Sequence, residues 1–460
     1  MQLKVPAELD PNFQPLSVLF RQYHADVQKA PRKQRFVCAL ERNGDHVAVW
    51  ETLIFPDNAE EERTVMLLER IVKSLLWIHG GYRISISGSR SLYEHLKAAY
   101  APHGARAFDA DFMQTNVYEK PFEILYCENP DDIAEAREGA KKIGRHLNGC
   151  RIGFDAGGSD RKVSAVIDGE AVFSEEIIWH PKTAADPNYH YKGILSSMRS
   201  AAAHLPRVDA IGVSSAGIYI DNKIMNASLF LQVPVEDFKK NVSNMYINIA
   251  KEMGDVPLVV ANDGDVTALA GAMEMNVGNV LGIAMGTSEA GGYVNKGVEI
   301  MGWLNELAFV PIDVAPNAMA DEWSGDIGCG VKYFSQDGVI KLAPAAGIHL
   351  NNTLTPAEKL TAVQNMLKEG HEGAAKIFRT IGVCFGYAVA YYALFYEIDH
   401  VLIMGRVTSG NGGSLLIQKA QEVLDRDFPD LAAKITLHLP DEKSRRVGQS
   451  VAAASLPEIR

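Results

Sequence analysis

Cysteine is scarce in this sequence. Its 460 residues hold five, Cys38, Cys127, Cys150, Cys329 and Cys384, scattered and with no CxxC pair or His/Cys cluster. That excludes a disulfide framework and predicts reduced thiols in a cytoplasmic protein. No apolar run reaches the roughly 18 residues that span a bilayer. The opening stretch MQLKVPAELDPNFQPL also lacks the basic and then apolar pattern of a secretory signal. No membrane partner is expected. A formal net charge of −12 leaves no basic footprint for a nucleic acid, although it does not oppose a nucleotide held by local donors and a metal. Neither GxxxxGK[ST] nor GxGxxG occurs, so neither a P-loop nor a dinucleotide fingerprint is present. What remains is the composition of a globular protein, 47% hydrophobic and 22% charged, in a chain long enough for two or three domains.

Residues 1–34 read as an extended or helical lead-in. RFVCALERNGDHVAVWETLIFP then gives two strands around the hairpin dipeptide Asn43-Gly44. Val65, Leu68, Ile71, Val72, Leu75 and Leu76 follow at helical spacing, and YRISISGS is a further strand. From Arg151, RIGFDAGGSDRKVSAVIDGEAVFSEEIIWHP reads as three strands joined by turns. A helix around Ile194 to His204 leads to another strand in DAIGVSSAG. The first 110 or so residues resemble this order in weaker form, with Glu41-Arg42-Asn43-Gly44 in place of Asp155-Ala156-Gly157-Gly158. A degenerate duplication and the chance likeness of two α/β units both account for that. Downstream, helices at about 235–253, 356–368, 371–396, 414–428 and 442–454 alternate with strands. The class is α/β, with parallel or mixed sheets covered by helices.

Three strands end in glycine-bearing turns: FDAGGS at 154–159, MGTSEAGG at 285–292 and MGRVTSGNGG at 404–413. Glycine lets backbone N–H groups approach an anion with no Cβ in the way, and it is also ordinary strand punctuation. In VVANDGDVTALAGA an apolar strand runs into Asn262-Asp263 just before a helix. Asp263 is there either a helix cap or a general base, with Asn262 as its hydroxyl-orienting partner.

In this order the segments from Arg151 onward resemble the ROK family of sugar kinases and repressors, within the actin-like ATPase superfamily. Its first phosphate element is similar to Asp155-Ala156-Gly157-Gly158-Ser159, and its catalytic pair to Asn262-Asp263. Its second phosphate element is similar to Gly286-Thr287-Ser288-Glu289-Ala290-Gly291-Gly292. Its adenosine element is similar to Gly405-Arg406-Val407-Thr408-Ser409-Gly410, and its sugar segment to Asn305-Glu306-Leu307-Ala308-Phe309.

The resemblance implies a two-lobed, ribonuclease-H-like fold. One lobe would be 151–262 plus about 441–460 and the other 263–440, after an accessory α/β domain at 1–150. It implies an ATP- and Mg²⁺-dependent kinase acting on a hexose or hexose derivative, with Asp263 as base and Asp155 holding Mg²⁺ through water. Gly157, Gly158, Ser159, Gly286, Thr287, Ser288, Gly405, Arg406 and Gly410 would contact ATP. Asn262, Glu306, Ser214, Ser215 and Gly217 would contact the sugar, and a homodimer is implied. Phe309 replaces the family's zinc-ligating histidine and no CxCGxxGC run follows, so no structural zinc is expected. Glu289 would put a carboxylate near the nucleotide phosphates, and GVSSAG replaces a proline-glycine turn of the sugar site. The alternative reading is a non-catalytic, sugar-sensing regulator that acts through its N-terminal domain.

Overall fold

The computed structural model describes residues 3–138, 143–440 and 445–459. Two compact units emerge. The first comprises Met1–Gly139, Ile283–Gly291 and Trp303–Leu439, and the second Ala140–Gly282, Gly292–Gly302 and Pro440–Arg460. The secondary structure is mixed α/β, as the pattern predicts.

In the second unit a five-stranded sheet has the order Leu258–Asn262, Ala210–Ser215, Cys150–Ala156, Asp160–Ile167, Glu170–Ile178. The last three strands form an antiparallel meander. Helix Pro187–Ala202 then carries the chain over to Ala210–Ser215, which pairs parallel to Cys150–Ala156. Direction follows from parity: a crossover returns the chain along the direction of the strand it left. Three meander strands hand over a strand parallel to the first. The inward face buries Ile152, Phe154, Val163 and Ala165 against Ile194 and Met198 of the crossover helix.

The C-terminal helix Arg445–Ala454 lies on strands Cys150–Ala156 and Ala210–Ser215. Positions 442–444 of its expected range fall outside the described residues. The close approach requires glycine. Gly153 and Gly212 are register partners. A Cβ on either would lie 1.8 Å from the Ser450 carbonyl oxygen or 1.7 Å from that of Ala453. Buried Arg151 ties the same strand to the chain terminus, donating from Nη1 to the Pro457 carbonyl at 2.6 Å.

The first unit opens with helix Leu16–Lys29 and a sheet of order Val47–Ile54, Gln34–Glu41, Arg83–Ser87, Glu123–Tyr126. The hairpin turns at Asn43–Asp45 with Gly44 at φ 73°, a left-handed conformation that favours glycine. The duplication reading fails here, again by parity. This meander has two strands, so helix Glu61–His79 returns Arg83–Ser87 antiparallel to Gln34–Glu41. Glu41 therefore faces the start of its neighbour, and Arg83 Nη1 donates to it at 3.0 Å. Among the described residues, no cluster of strand ends in this sheet matches the one around Asp155. A further four-stranded sheet runs Glu289–Val294, Val280–Met285, His400–Met404, Thr436–His438. The helix expected over 235–253 is broken into Val235–Asp237, the wider turn Phe238–Val242 and Met245–Glu252.

A buried ionic cluster joins the N-terminal segment to residues 303–439. Asp326 binds Lys73 at 2.5 Å, Arg70 at 2.8 Å and Arg106 at 2.9 Å, and Glu69 binds Arg70 and Arg106 at 2.6 and 2.5 Å. Burial alone would raise the Asp326 pKa, but Lys73 and Arg70 outweigh it and hold the carboxyl below its usual range. The last carbonyls of helix Glu61–His79 also need partners. Trp77 and Ile78 accept from the Glu306 and Asn305 amides at 3.1 and 2.9 Å.

Two outcomes test this packing. Gly212→Ala should lower stability by about 1–3 kcal/mol and speed amide exchange in the C-terminal helix, measured by denaturant unfolding and hydrogen exchange. Asp326→Asn leaves buried Lys73 and Arg106 and the half-buried Arg70 short of one charged partner and should cost about 3–5 kcal/mol, read in the same unfolding experiment.

Candidate functional site

Strand direction brings together, in the second unit, the residues singled out from sequence. Asp155 is the register partner of Ser214, and Ser214 of Ala261. One step further along, Ala156, Ser215 and Asn262 form the next row. All three strands end here. From Asn262 the chain turns into helix Asp263–Met275 without a loop.

Asp155 is only 5% exposed. Its Oδ1 accepts from Ser214 Oγ at 2.8 Å, and Lys162 Nζ lies 3.7 Å from Oδ2 while binding Asp160 at 2.8 Å. Gln449 of the C-terminal helix donates to Ser214 Oγ at 3.1 Å. Burial raises the Asp155 pKa, and Lys162 and the Ser214 hydroxyl offset only part of that rise.

The cap of helix Asp263–Met275 is Asn262, not Asp263. The Asn262 Oδ1 accepts from Gly264 N at 2.7 Å, and its Nδ2 donates to the Gly217 carbonyl at 2.7 Å. Asp263, half-buried in the first turn, takes only a weaker 3.1 Å bond from Gly264 N. Its pKa is pushed up to about 6, first by burial and then by the Asp155 charge, with the Gly264 N–H and Lys182 acting the other way. A carboxyl that titrates near neutrality beside a second carboxylate is suited to accepting a proton.

The glycine hairpin sits next to it. A Cβ on Gly157 would meet the Asp160 carbonyl at 2.7 Å, while Gly158 and Ser159 are exposed at the tip. Buried Trp179 clamps the bend from both sides. Its Nε1 donates to the Gly157 carbonyl at 2.8 Å and its backbone N–H to that of Ser159 at 3.1 Å. Lys182, two positions beyond His180, passes directly over Gly158.

Several expectations change. Ser214 and Ser215 are fully buried and their hydroxyls bind protein groups. Ser214 holds Asp155, and Ser215 Oγ accepts from Tyr219 and Tyr246 at 2.6 and 3.2 Å. Both side chains are thus turned to protein partners. Gly217 is a shape requirement: its φ is 134°, and a Cβ would lie 2.4 Å from the Asn226 carbonyl oxygen. Lys162, Trp179, Lys182 and Tyr219 are additions.

In the first unit, the turn at Gly286-Thr287-Ser288 closes with Gly286 N donating to Ser288 O at 2.9 Å, leaving Thr287 and Ser288 exposed. Gly405, at φ 102°, lies against the end of the neighbouring strand, where a Cβ would be 2.3 Å from the Met285 carbonyl oxygen. The two glycine turns thus leave one sheet side by side. Gly410 precedes helix Asn411–Asp427 with φ 65° and open space around its Cβ position, and Arg406 is exposed. Glu289 does not reach toward phosphate as expected. It points inward, 3% exposed, toward Tyr392 and the bare Gly330, and burial pushes its pKa up to about 8. Glu306 is half-buried, its backbone fixed on Trp77, and Phe309 stacks on the Trp77 ring at 4.2 Å.

Comparison with known proteins places this arrangement. No protein-family model matches the chain, and no curated protein sequence does. Solved structures do. A ROK family transcriptional regulator, a homologue of the E. coli MLC protein, superposes with a TM-score of 0.53 at 18% identity, over 67% of this chain and 79% of its own. A ROK hexokinase from Thermus thermophilus superposes with a TM-score of 0.51 at 16% identity, over 66% of this chain and 97% of its own. From its meander, parallel strand ends and glycine turns to these superpositions, the chain has the fold of the ROK proteins.

Proposed function

We propose that this protein is an ATP- and Mg²⁺-dependent kinase that phosphorylates a hydroxyl of a hexose or hexose derivative, with Asp263 as the general base. The observation that supports it most is the half-buried Asp263 carboxyl, raised to about 6 and held beside Asp155 and the glycine hairpin at the ends of parallel strands. In the transfer, the acceptor hydroxyl oxygen forms a bond to the γ-phosphorus of ATP. The bond from that phosphorus to the β,γ-bridging oxygen breaks, ADP leaves with the electron pair, and the hydroxyl proton passes to Asp263.

The residues fit a cation. Burial raises Asp155 and Asp263, the Asp160 charge adding to the first and the Asp155 charge to the second, and Lys162 is bound to Asp155 and Asp160. Among the described residues no three His, Cys, Asp or Glu side chains form a ligand set. A Mg²⁺ at Asp155 would therefore keep water and phosphate oxygens as most of its ligands, as that ion prefers, and would neutralise phosphoryl charge. Gly157, Gly158 and Ser159 present the exposed bend to phosphate. Gly286, Thr287, Ser288, Gly405, Arg406 and Gly410 are our candidates for further nucleotide contacts, and Glu306 for a sugar hydroxyl. Asn262, held at both ends, fixes the geometry of the base.

A second reading, a sugar-binding regulator without turnover, is favoured by the likeness to a ROK transcriptional regulator. An ADP-release assay over hexoses, amino sugars and N-acetyl sugars separates the two. Turnover with one sugar supports the kinase, and binding without turnover supports the regulator. Where turnover is found, Asp263→Asn should lower kcat by about 10²–10⁴-fold while sugar affinity changes little. Near-normal turnover in that variant removes the base assignment.

A further inference from the structure

Lys182 is an exposed lysine beside the glycine hairpin. Among the described residues its ammonium makes no hydrogen bond or ion pair, although Asp155, Asp160 and Asp263 cluster nearby. Its mount is nevertheless firm. On one side, Trp179 is bound to both ends of the glycine bend. The His180 N–H donates to Tyr189 Oη at 2.9 Å, and buried His190 Nε2 lies 3.0 Å from the Pro181 carbonyl. On the other, Ala184 N donates to Pro181 O at 3.2 Å. The backbone around Lys182 is thus fixed while the side chain is not drawn into an ion pair.

That side chain lies across the glycine hairpin. Its Cε and Nζ stand 3.0 and 3.3 Å from the point a Cβ on Gly158 would occupy. Gly158 is therefore bare on the side where the ammonium sits, and any larger residue would displace it. The Lys182 charge also acts on Asp263, against the rise that burial and the Asp155 charge produce.

We propose that Lys182 faces the phosphoryl group being transferred, contacting its oxygens as charge builds on them and on the departing bridging oxygen. The inference rests on the kinase reading above and deepens it. In the transfer the acceptor oxygen bonds to the γ-phosphorus, the β,γ-bridge breaks with its electrons going to ADP, and the proton goes to Asp263. Lys182 exchanges no proton and forms no covalent bond. A point charge on a flexible stem suits this task, because the phosphoryl oxygens move as the bond breaks.

The test uses the full-length protein with Mg²⁺, comparing wild type, Lys182→Met and Lys182→Arg. Calorimetry measures Mg·AMP-PNP and Mg·ADP binding, and steady-state kinetics use whichever sugar of the panel turns over. Lys182→Met should lower kcat by about 10²–10³-fold with little change in the sugar KM. It should also weaken AMP-PNP more than ADP, since only the former carries a γ-phosphoryl group, and Lys182→Arg should recover part of both losses. A merely structural lysine would weaken the two nucleotides equally. Equal loss, or no loss, overturns the Lys182 assignment while wild-type turnover keeps the kinase reading. A wild type that binds nucleotides without turnover leaves the AMP-PNP-to-ADP difference to decide. A wild type that binds neither nucleotide overturns both.

Discussion

The site depends on strand direction. A carboxylate at the end of a core strand is a liability unless the neighbouring strands end beside it and supply hydrogen bonds and charge. The three-stranded meander achieves this by returning Ala210–Ser215 parallel to Cys150–Ala156, so that Ser214 arrives opposite Asp155. The next strand, equally parallel, ends in Asn262 and turns at once into the helix that begins with Asp263. One fewer strand would reverse the arriving neighbour. The N-terminal sheet of the first unit shows that outcome, with Glu41 set against the beginning of its neighbour and bound to Arg83.

Electrostatics turns this geometry into chemistry. Burial raises both Asp155 and Asp263, and the Asp155 charge raises Asp263 further. Lys162 answers the first carboxylate directly at 3.7 Å, whereas Lys182 acts on the second only through space. The arrangement holds the Asp263 carboxyl near 6 and gathers three carboxylates around one bound lysine, the features on which the proposed kinase reading rests. The C-terminal helix supports it from behind. Bare Gly153 and Gly212 admit the helix backbone, and Gln449 then fixes Ser214 and, through it, Asp155.

Much of this was legible in the sequence, and the reasons are specific. The glycine turn after Phe154, the hairpin at Asn43-Gly44 and the passage from strand to helix at Asn262-Asp263 are local signals, carried by a few adjacent residues. Residues brought in by packing were not legible. Lys182 and Trp179 meet the glycine hairpin only because Glu170–Ile178 is the third strand of the meander, and nothing adjacent to them in the sequence names that partner. The serines of 214–215 invited a ligand role because small polar residues at a strand end do so. Their register with Asp155 and the tyrosines above them made them internal supports. The same applies to Glu289: alternation along Glu289–Val294 turned it inward, and a count of turn residues cannot show which way a strand begins. The duplication failed because similar element order hid a difference of one strand.

The most direct test of the account is the coupling between the two carboxylates, measured without any assumption about substrate. Side-chain ¹³C NMR of the metal-free protein should show Asp263 titrating near 6. In Asp155→Asn the neighbouring negative charge is gone, ionisation of Asp263 becomes easier, and its pKa should fall. An Asp263 pKa that is the same in both proteins would mean that the two groups do not share one site, and the account would be contradicted at its base.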